Sequence, residues 1–259
     1  MMDGHFENLG ALIRLAAVAS VAAPYALWSL GRDRGESRGA EIAGLAALAV
    51  LVGVLPSMLV FSRATGEPMV WMFGAEGLDT GVVEFATCGL FLAGAALAGL
   101  LGLRARGLAR PAYLGLALAA FAVAGEEISW GQWIFHWRTP AELAAGNLQN
   151  ETNLHNFVGP GGHEAAYALA GLGMLVLGVV AGVGRRRLPG LLAPAGFLRS
   201  SRVAPALVMV SATMMQHPFF QELAEVALAA TLVYGLWANL APGEGRPARG
   251  STAAAVARA

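Results

Sequence analysis

The sequence contains no lysine, only one cysteine and little charge. Its 259 residues include 17 basic side chains, all of them arginine, and 17 acidic ones, so the formal net charge is zero. Charged residues make up 13% of the chain, which is about half of their share in an ordinary soluble domain. Because the chain has no net basic field, we expect no nucleic-acid partner. Cys88 cannot form an intrachain disulfide, and its apolar neighbours predict a buried side chain.

Apolar residues are in excess: they make up 56% of the chain, and the mean hydropathy is +0.58. A helix that crosses a membrane needs about 20 of them in a row. Five runs reach this length, at residues 9–30, 42–61, 82–103, 111–135 and 165–183. A further run, 203–240, is too long for one span, and His217 followed by Pro218 predicts two helices that meet there. The sequence therefore predicts an all-α, polytopic transmembrane helical bundle of about seven spans, forming one domain over residues 1–241.

Arginine positions predict the orientation of these spans. Basic residues concentrate in cytoplasmic loops, and the loops after the first, third and fifth spans hold three, three and five arginines, against one each in the second and fourth loops. We therefore expect an outer N terminus and a cytoplasmic C terminus, with residues 242–259 as a disordered cytoplasmic tail because they lack apolar content. The abundance of Ala, Gly and Arg is typical of GC-rich bacterial genomes, so the expected location is the bacterial inner (plasma) membrane.

The segment GEEISWGQWIFH, at the outer end of the fourth predicted span, holds the candidate catalytic residues. Ionisable groups at membrane depth cost about 2.5–3.5 kcal/mol each by insertion measurements, so they indicate a function. At 3.6 residues per helical turn, Ser129, Gln132 and His136 lie on one stripe of the fourth span, with Glu126 beside it and Glu127 further round. We predict Glu126, Glu127, Ser129 and Gln132 as the catalytic set.

Other carboxylates and histidines fall on the same outer face and predict a metal site. The candidate ligands are Glu84, Glu151, His155, His217 and Glu222. Imidazole with carboxylate ligands suits zinc or iron. If their loop is helical, Glu151 and His155 share one face and form a ligand pair or an acid/base pair. The sequence contains neither H-E-x-x-H nor C-x-x-C.

Three further residues receive structural roles. Arg14, inside the first span, predicts an ion pair with Glu84 or Glu225. Glu164 begins the fifth span, where a carboxylate is favoured by the helix dipole, so neither it nor its neighbour His163 is given a catalytic role.

These patterns leave three functions open. A metal-dependent hydrolase or transferase would act on a lipid or lipid-linked substrate at the outer face. A metal-free version would use Glu126 or Glu127 with His155 as general acid and base. The non-catalytic alternatives are a subunit of a membrane complex and a small-molecule transporter. Membrane lipid is the expected partner in each case, and the oligomeric state stays open.

Three segments carry a resemblance to a known group of proteins. GEEISWGQ, the later NLQNETNLHN and the earlier GLDTGVVEFATCGLFL resemble segments of an uncharacterised group of bacterial multi-span membrane proteins, over residues 76–156. That resemblance implies no established reaction. The predicted layout is also similar to the alkaline ceramidase and adiponectin-receptor superfamily of membrane metal hydrolases. Those proteins use Ser-x-x-x-His and His-x-x-x-His segments, whereas Ser129 and His136 are seven residues apart here and His217 stands alone.

Overall fold

The structure, a computed structural model, describes residues 4–32, 38–58, 60, 81–148, 150–183 and 190–240. These residues form helices and turns, with no β-strand among them, which confirms the all-α class. The predicted tail, 242–259, lies outside the described residues. The main helices are α1 (Gly4–Leu30), α2 (Arg38–Met58, with a π-helical turn at Val50–Val54), α3 (Val82–Arg104), α4 (Ala109–Glu127), α5 (Pro160–Val183), α6 (Ala204–Met214) and α7 (Gln221–Leu240).

The chain has the helices of a multi-span membrane protein. By length and composition, five helices of the described residues can cross a membrane, and the bent pair that begins with α4 makes a sixth if it counts as one span. Their outer surfaces carry exposed leucines such as Leu27, Leu118 and Leu169. Such side chains are suited to contact with lipid tails. The predicted class is therefore confirmed, while the full-length spans of the described residues number five or six.

The prediction of one continuous helix through His136 is wrong. α4 ends at Glu127, and the chain then turns by 69° into the short helix Gln132–Phe135. Ser129, Trp130 and Gly131 form the turn with φ values of 47°, 55° and 84°. A left-handed backbone at three successive residues cannot continue a right-handed helix. The helical stripe of Ser129, Gln132 and His136 is therefore absent.

α6 and α7 meet at His217 and Pro218 as the sequence predicts, but α6 is too short for a lipid-facing span. It has 11 residues, or about 16 Å of helix, and nearly all of its side chains are buried. At its start the Ser29 hydroxyl donates to the Arg202 carbonyl over 2.9 Å, and beyond its end Gln216 Nε2 donates to the Ala168 carbonyl over 3.3 Å. α6 is therefore a central helix that the longer helices surround.

Small residues allow α5 and α6 to pack closely. A Cβ atom on Gly171 or Gly178 would collide with α6, at the Ala212 carbonyl and at the Met209 side chain, respectively. Nothing lies within 4 Å of the corresponding position on Gly173. Two of these glycines therefore serve packing within the chain. A second layer contains α3 between α4 and α7, and there Cys88 is buried as the sequence predicts.

Candidate functional site

Glu126 joins the end of α4 to the loop at residues 147–156. One of its carboxylate oxygens accepts the backbone N–H groups of Leu154 and His155, over 2.6 and 3.1 Å. The other accepts Trp130 Nε1–H over 2.7 Å. Hydrogen bonds to a carboxylate are stronger than those between neutral groups. This one side chain therefore fixes the loop and the turn after α4 against each other.

Glu151 belongs to the same loop and is completely buried. Ser129 Oγ–H and Asn153 Nδ2–H donate to one of its oxygens over 2.8 and 2.9 Å, and Asn156 Nδ2 lies 3.4 Å from that oxygen. Trp133 Nε1–H donates to the other oxygen over 3.2 Å. A buried carboxylate is tolerated when hydrogen bonds replace its lost hydration. These donors meet that requirement and hold Ser129 inside the protein.

Side-chain amides complete the framework of the loop. Asn147 Oδ1 accepts the backbone N–H of Glu151, and Asn147 Nδ2 donates to the Asn153 carbonyl. Gln132 Oε1 accepts the backbone N–H of Thr152 over 2.7 Å. The conditional prediction of a helix over Glu151–His155 is wrong, because the chain is held by these bonds in an irregular course with only a short turn at His155.

Glu126 and His155 form a pair of predicted site residues with both acid/base character and partial exposure. Glu126 Oε2 lies 3.5 Å from His155 Nδ1, and the side chains are 20% and 38% exposed. Burial lowers the pKa of His155 below its usual value of 6.5, and the neighbouring Glu126 carboxylate offsets part of that effect. The imidazole is therefore neutral near pH 7 and able to accept a proton.

His163 extends this pair toward α5. Its Nε2 atom lies 2.6 Å from the His155 carbonyl, and the two imidazole rings are 5.8 Å apart. The sequence pattern gave His163 no role, since its neighbours indicate an ordinary helix start. Only the fold of the loop brings it to His155.

Backbone strain concentrates in the same segment. In the described part of the chain, the non-glycine residues with positive φ are Ser129, Trp130, His136 and Asn150. Such conformations cost about 1–3 kcal/mol each and often occur at functional sites. The bonds to Glu126 and Glu151 supply the restraint that holds this conformation.

A second polar cluster links α1, α5 and α7. Arg14 forms an ion pair with Glu164, and the Tyr167 hydroxyl donates to Glu225. His217 lies within electrostatic range of Arg14 and Glu164. The predicted pairing of Arg14 with Glu84 or Glu225 is therefore wrong, because α1 presents Arg14 to the first turn of α5.

The five predicted metal ligands occupy separate places. Among the residues that the structure describes, no three His, Cys, Asp or Glu side chains converge to hold a metal ion. Glu84 accepts the backbone N–H of Gly81 at the start of its own helix, and Glu151 is held by the donors described above. His155 faces Glu126, and His217 Nδ1 accepts a backbone N–H. Glu222 is exposed on the first turn of α7. This arrangement does not fit zinc or iron.

The four predicted catalytic residues also separate. Ser129 and Gln132 are buried in the loop framework, whereas Glu126 is accessible. Glu127 is half-buried and lies within electrostatic range of Cys88 on α3. Trp133, Asn153 and Asn156 complete the framework, although the sequence indicated only an aromatic belt and turn-closing asparagines. The site thus contains a rigid buried network and one accessible carboxylate–imidazole pair.

Comparison with models of known protein families, with curated proteins and with solved structures gives no match to this chain.

Proposed function

We propose that the protein is a membrane-embedded hydrolase or transferase whose general acid/base is the Glu126–His155 pair. Its substrate is a lipid or lipid-linked ester, amide or phosphoester at the membrane surface. The observation that carries this proposal is the Glu126 Oε2 to His155 Nδ1 approach of 3.5 Å at a partly exposed position. General acid/base catalysis requires such a pair, with the imidazole neutral at the working pH.

The neighbouring Ser129 and Glu151 are less suited to the reaction. Both are completely buried, and the Ser129 hydroxyl proton is already directed at Glu151. A substrate would have to displace the loop to reach them. His155 needs no such opening, since more than a third of its side chain is exposed.

The proposed mechanism uses the Glu126 carboxylate to orient the imidazole. With Nδ1–H facing Glu126, Nε2 of His155 carries the lone pair. Nε2 removes a proton from an attacking water or hydroxyl, and Glu126 stabilises the imidazolium that forms. The same proton then passes from Nε2 to the leaving group, which restores the neutral pair. Because Glu126 also accepts two backbone N–H groups, its position is set before the substrate binds.

The topology that we propose places this pair on the outer side of the bacterial inner membrane. The arginine distribution supports an outer N terminus and a cytoplasmic C terminus. In this arrangement α6 makes the sixth crossing inside the bundle rather than against lipid. The loop between α4 and α5 then faces outward.

Turnover of defined lipids tests the proposal. The full chain in nanodiscs is incubated with glycerophospholipid, sphingolipid and isoprenoid-phosphate substrates, and products are measured by mass spectrometry. We expect Glu126→Gln and His155→Asn each to lower the rate by about 10²–10⁴-fold. Glu142→Gln, at an exposed acidic residue of the following short helix, is the matched control and should retain full activity.

Two outcomes separate this mechanism from its alternatives. The wild-type rate should stay constant down to pH 6.5 and fall only when the pH approaches the lowered pKa of His155, because protonation then removes the base. A chelator should leave the rate unchanged. A rate that Glu126→Gln preserves contradicts the proposed pair, and a rate that the chelator abolishes restores the metal-dependent version.

A second candidate function, a subunit of a membrane complex, is favoured by exposed apolar side chains on the loop and on the short helix Gln132–Phe135. Phe135, Leu148 and Leu154 are each more than 60% exposed. Exposed apolar side chains of this size suit contact with lipid or with another chain. Absence of turnover with every lipid, together with a stable complex after mild extraction, would favour this function.

A further inference from the structure

An apolar cavity of about 350 Å³ lies between α1, α2 and α6. It is separate from the loop network, and its walls are almost entirely hydrocarbon. Small side chains leave the space, since four of the five α1 residues on its wall are alanine. Its walls include Leu15, Ala19, Ala26, Val52, Met209 and Phe220. This volume falls within the usual range for ligand pockets, about 300–1,000 Å³.

The cavity is elongated along α1. The wall residues run from Leu15 to Ala26, an interval of eleven residues or about 16 Å along the helix axis. The cavity therefore lies inside the membrane-spanning part of α1, where the surrounding solvent is lipid. An extended hydrocarbon chain matches both this shape and the apolar walls.

One end of the cavity meets the polar cluster that joins α1 to α5. Leu15 directly follows Arg14, which pairs with Glu164. At the same end, the Phe220 ring on the cavity wall lies 6.0 Å from the ring of His217. This end of the cavity is thus formed by Leu15 and Phe220, which are next to a cation and an imidazole. A hydrocarbon chain alone does not explain these polar neighbours.

Arg14 and His217 can each donate a hydrogen bond near this end of the cavity. Arg14 Nε is buried and has no hydrogen-bond partner among the described residues. His217 Nδ1 accepts the backbone N–H of Phe219 over 3.1 Å, so in the neutral imidazole the proton is on Nε2. Two donors beside a hydrocarbon cavity fit a head group that supplies acceptor oxygens, and the arginine favours a negative charge on it.

We propose that the cavity binds a single-chain lipid with an acidic head group, its hydrocarbon chain along α1 and its carboxylate or phosphate at Arg14 and His217. This inference deepens the proposed function by naming the substrate class. Binding of the lipid does not depend on the proposed function, whereas its turnover rests on it. The connection to the reactive pair is His163, which contacts His155 and precedes Glu164 in the first turns of α5.

Photolabelling measures the binding directly. The full chain in phosphatidylcholine nanodiscs is exposed to palmitic acid carrying a diazirine on its chain, or to the matching fatty alcohol. Labelled peptides are then identified by mass spectrometry. We expect the acid to label α1 and α6 near the cavity, and unlabelled palmitic acid to compete. The alcohol, which lacks the charge for Arg14, should label at least about tenfold less.

Paired tryptophan substitutions test the cavity. Ala19→Trp fills it, and Ala23→Trp does so from an exposed position that tolerates a larger side chain. Ala17→Trp is the matched control, because Ala17 is exposed on the same helix and is not part of the wall. Either cavity variant should reduce labelling about tenfold, while the control should leave it unchanged. Equal labelling of Ala17→Trp and Ala23→Trp would show general contact with membrane lipid and overturn the proposal.

The head-group contacts are tested without leaving an unpaired charge. The double variant Arg14→Gln/Glu164→Gln removes both partners of the ion pair and should abolish the preference for acid over alcohol. An unchanged preference overturns the assignment of the head group. Binding is also measured in Glu126→Gln, where we expect wild-type labelling. Specific labelling in a protein that turns over no lipid would refute the proposed reaction while preserving this binding site, so the two failures are distinguishable.

Discussion

Glu126, at the end of α4, and Glu151, in the loop at residues 147–156, have opposite surroundings. Glu151 is completely buried and accepts hydrogen bonds from Ser129, Trp133 and Asn153. Glu126 is partly exposed, and it holds the backbone of the loop while also facing His155. A carboxylate whose acceptor sites are occupied by buried donors stabilises the fold, whereas one beside an accessible imidazole is available for proton transfer. The difference gives Glu151 a role in the framework, and it is the reason that the proposed mechanism uses Glu126.

The largest expected effect on stability is that of Glu151→Ala. The substitution leaves several buried donors without an acceptor, and each unsatisfied buried group costs about 1–3 kcal/mol. We expect the free energy of unfolding to fall by about 3 kcal/mol or more, measured by denaturant unfolding in mild detergent. Glu142→Ala, at an exposed carboxylate of the neighbouring short helix, should change it by less than about 0.5 kcal/mol. Equal stability of the two variants would contradict the assignment of Glu151 to the framework.

Ser129→Ala should have a smaller effect on the same network. It removes the hydroxyl that donates to Glu151 and accepts from Asn153. Other donors still satisfy the carboxylate, so we expect a loss of about 1–2 kcal/mol. In the lipid turnover assay, this variant should retain activity wherever it remains folded. A loss of turnover in a folded Ser129→Ala protein would instead return Ser129 to the reacting groups.

The surroundings of these two carboxylates show which features could be predicted from the sequence and which could not. Hydropathy is a property of long runs, so the helical class and the five long apolar helices of the described residues follow from composition and length. The pairing of Glu126 with His155 depends on a left-handed turn at Ser129 and Trp130, which lies outside helical periodicity. The same turn separated Gln132 from its predicted stripe. The sequence thus located the segment that forms the site, but helical spacing could not predict its contacts.

The ion-pair partner of Arg14 on α1 could not be predicted for a similar reason, because it depends on contacts between distant parts of the sequence. A charge inside a span predicts a partner, but any carboxylate at the same depth meets that requirement. Which one pairs with Arg14 depends on the packing of α1 against the first turn of α5, where Glu164 lies. The short length of α6 was similarly unpredictable. Its 11 residues are apolar because they are buried against other helices, and in the sequence such residues cannot be distinguished from part of a longer span.

Trp130→Phe should destabilise the protein slightly by removing one hydrogen bond to Glu126. The ring stays in contact with Phe121, from which it lies 6.2 Å away, but the Nε1–H bond to Glu126 is lost. Since this bond is exposed, we expect a loss of about 1 kcal/mol or less in the free energy of unfolding. Trp133→Phe removes the corresponding bond to buried Glu151, and is the matched comparison. It should cost more, and a reversed order would contradict the assigned roles.

The smallest expected effect is a change in how stability depends on pH. Burial lowers the pKa of folded His155 below the usual value of 6.5, so the unfolded chain binds the proton more readily. Above pH 6.5 both states are neutral at this residue and the full stability is present. As the pH falls below 6.5, the unfolded state gains a proton first, and stability falls until the pH reaches the lower pKa of the folded state. His155→Asn should flatten this part of the curve in thermal unfolding between pH 7.5 and 5. If the slope survives in His155→Asn, another group causes the pH dependence, and burial within the loop does not keep His155 neutral.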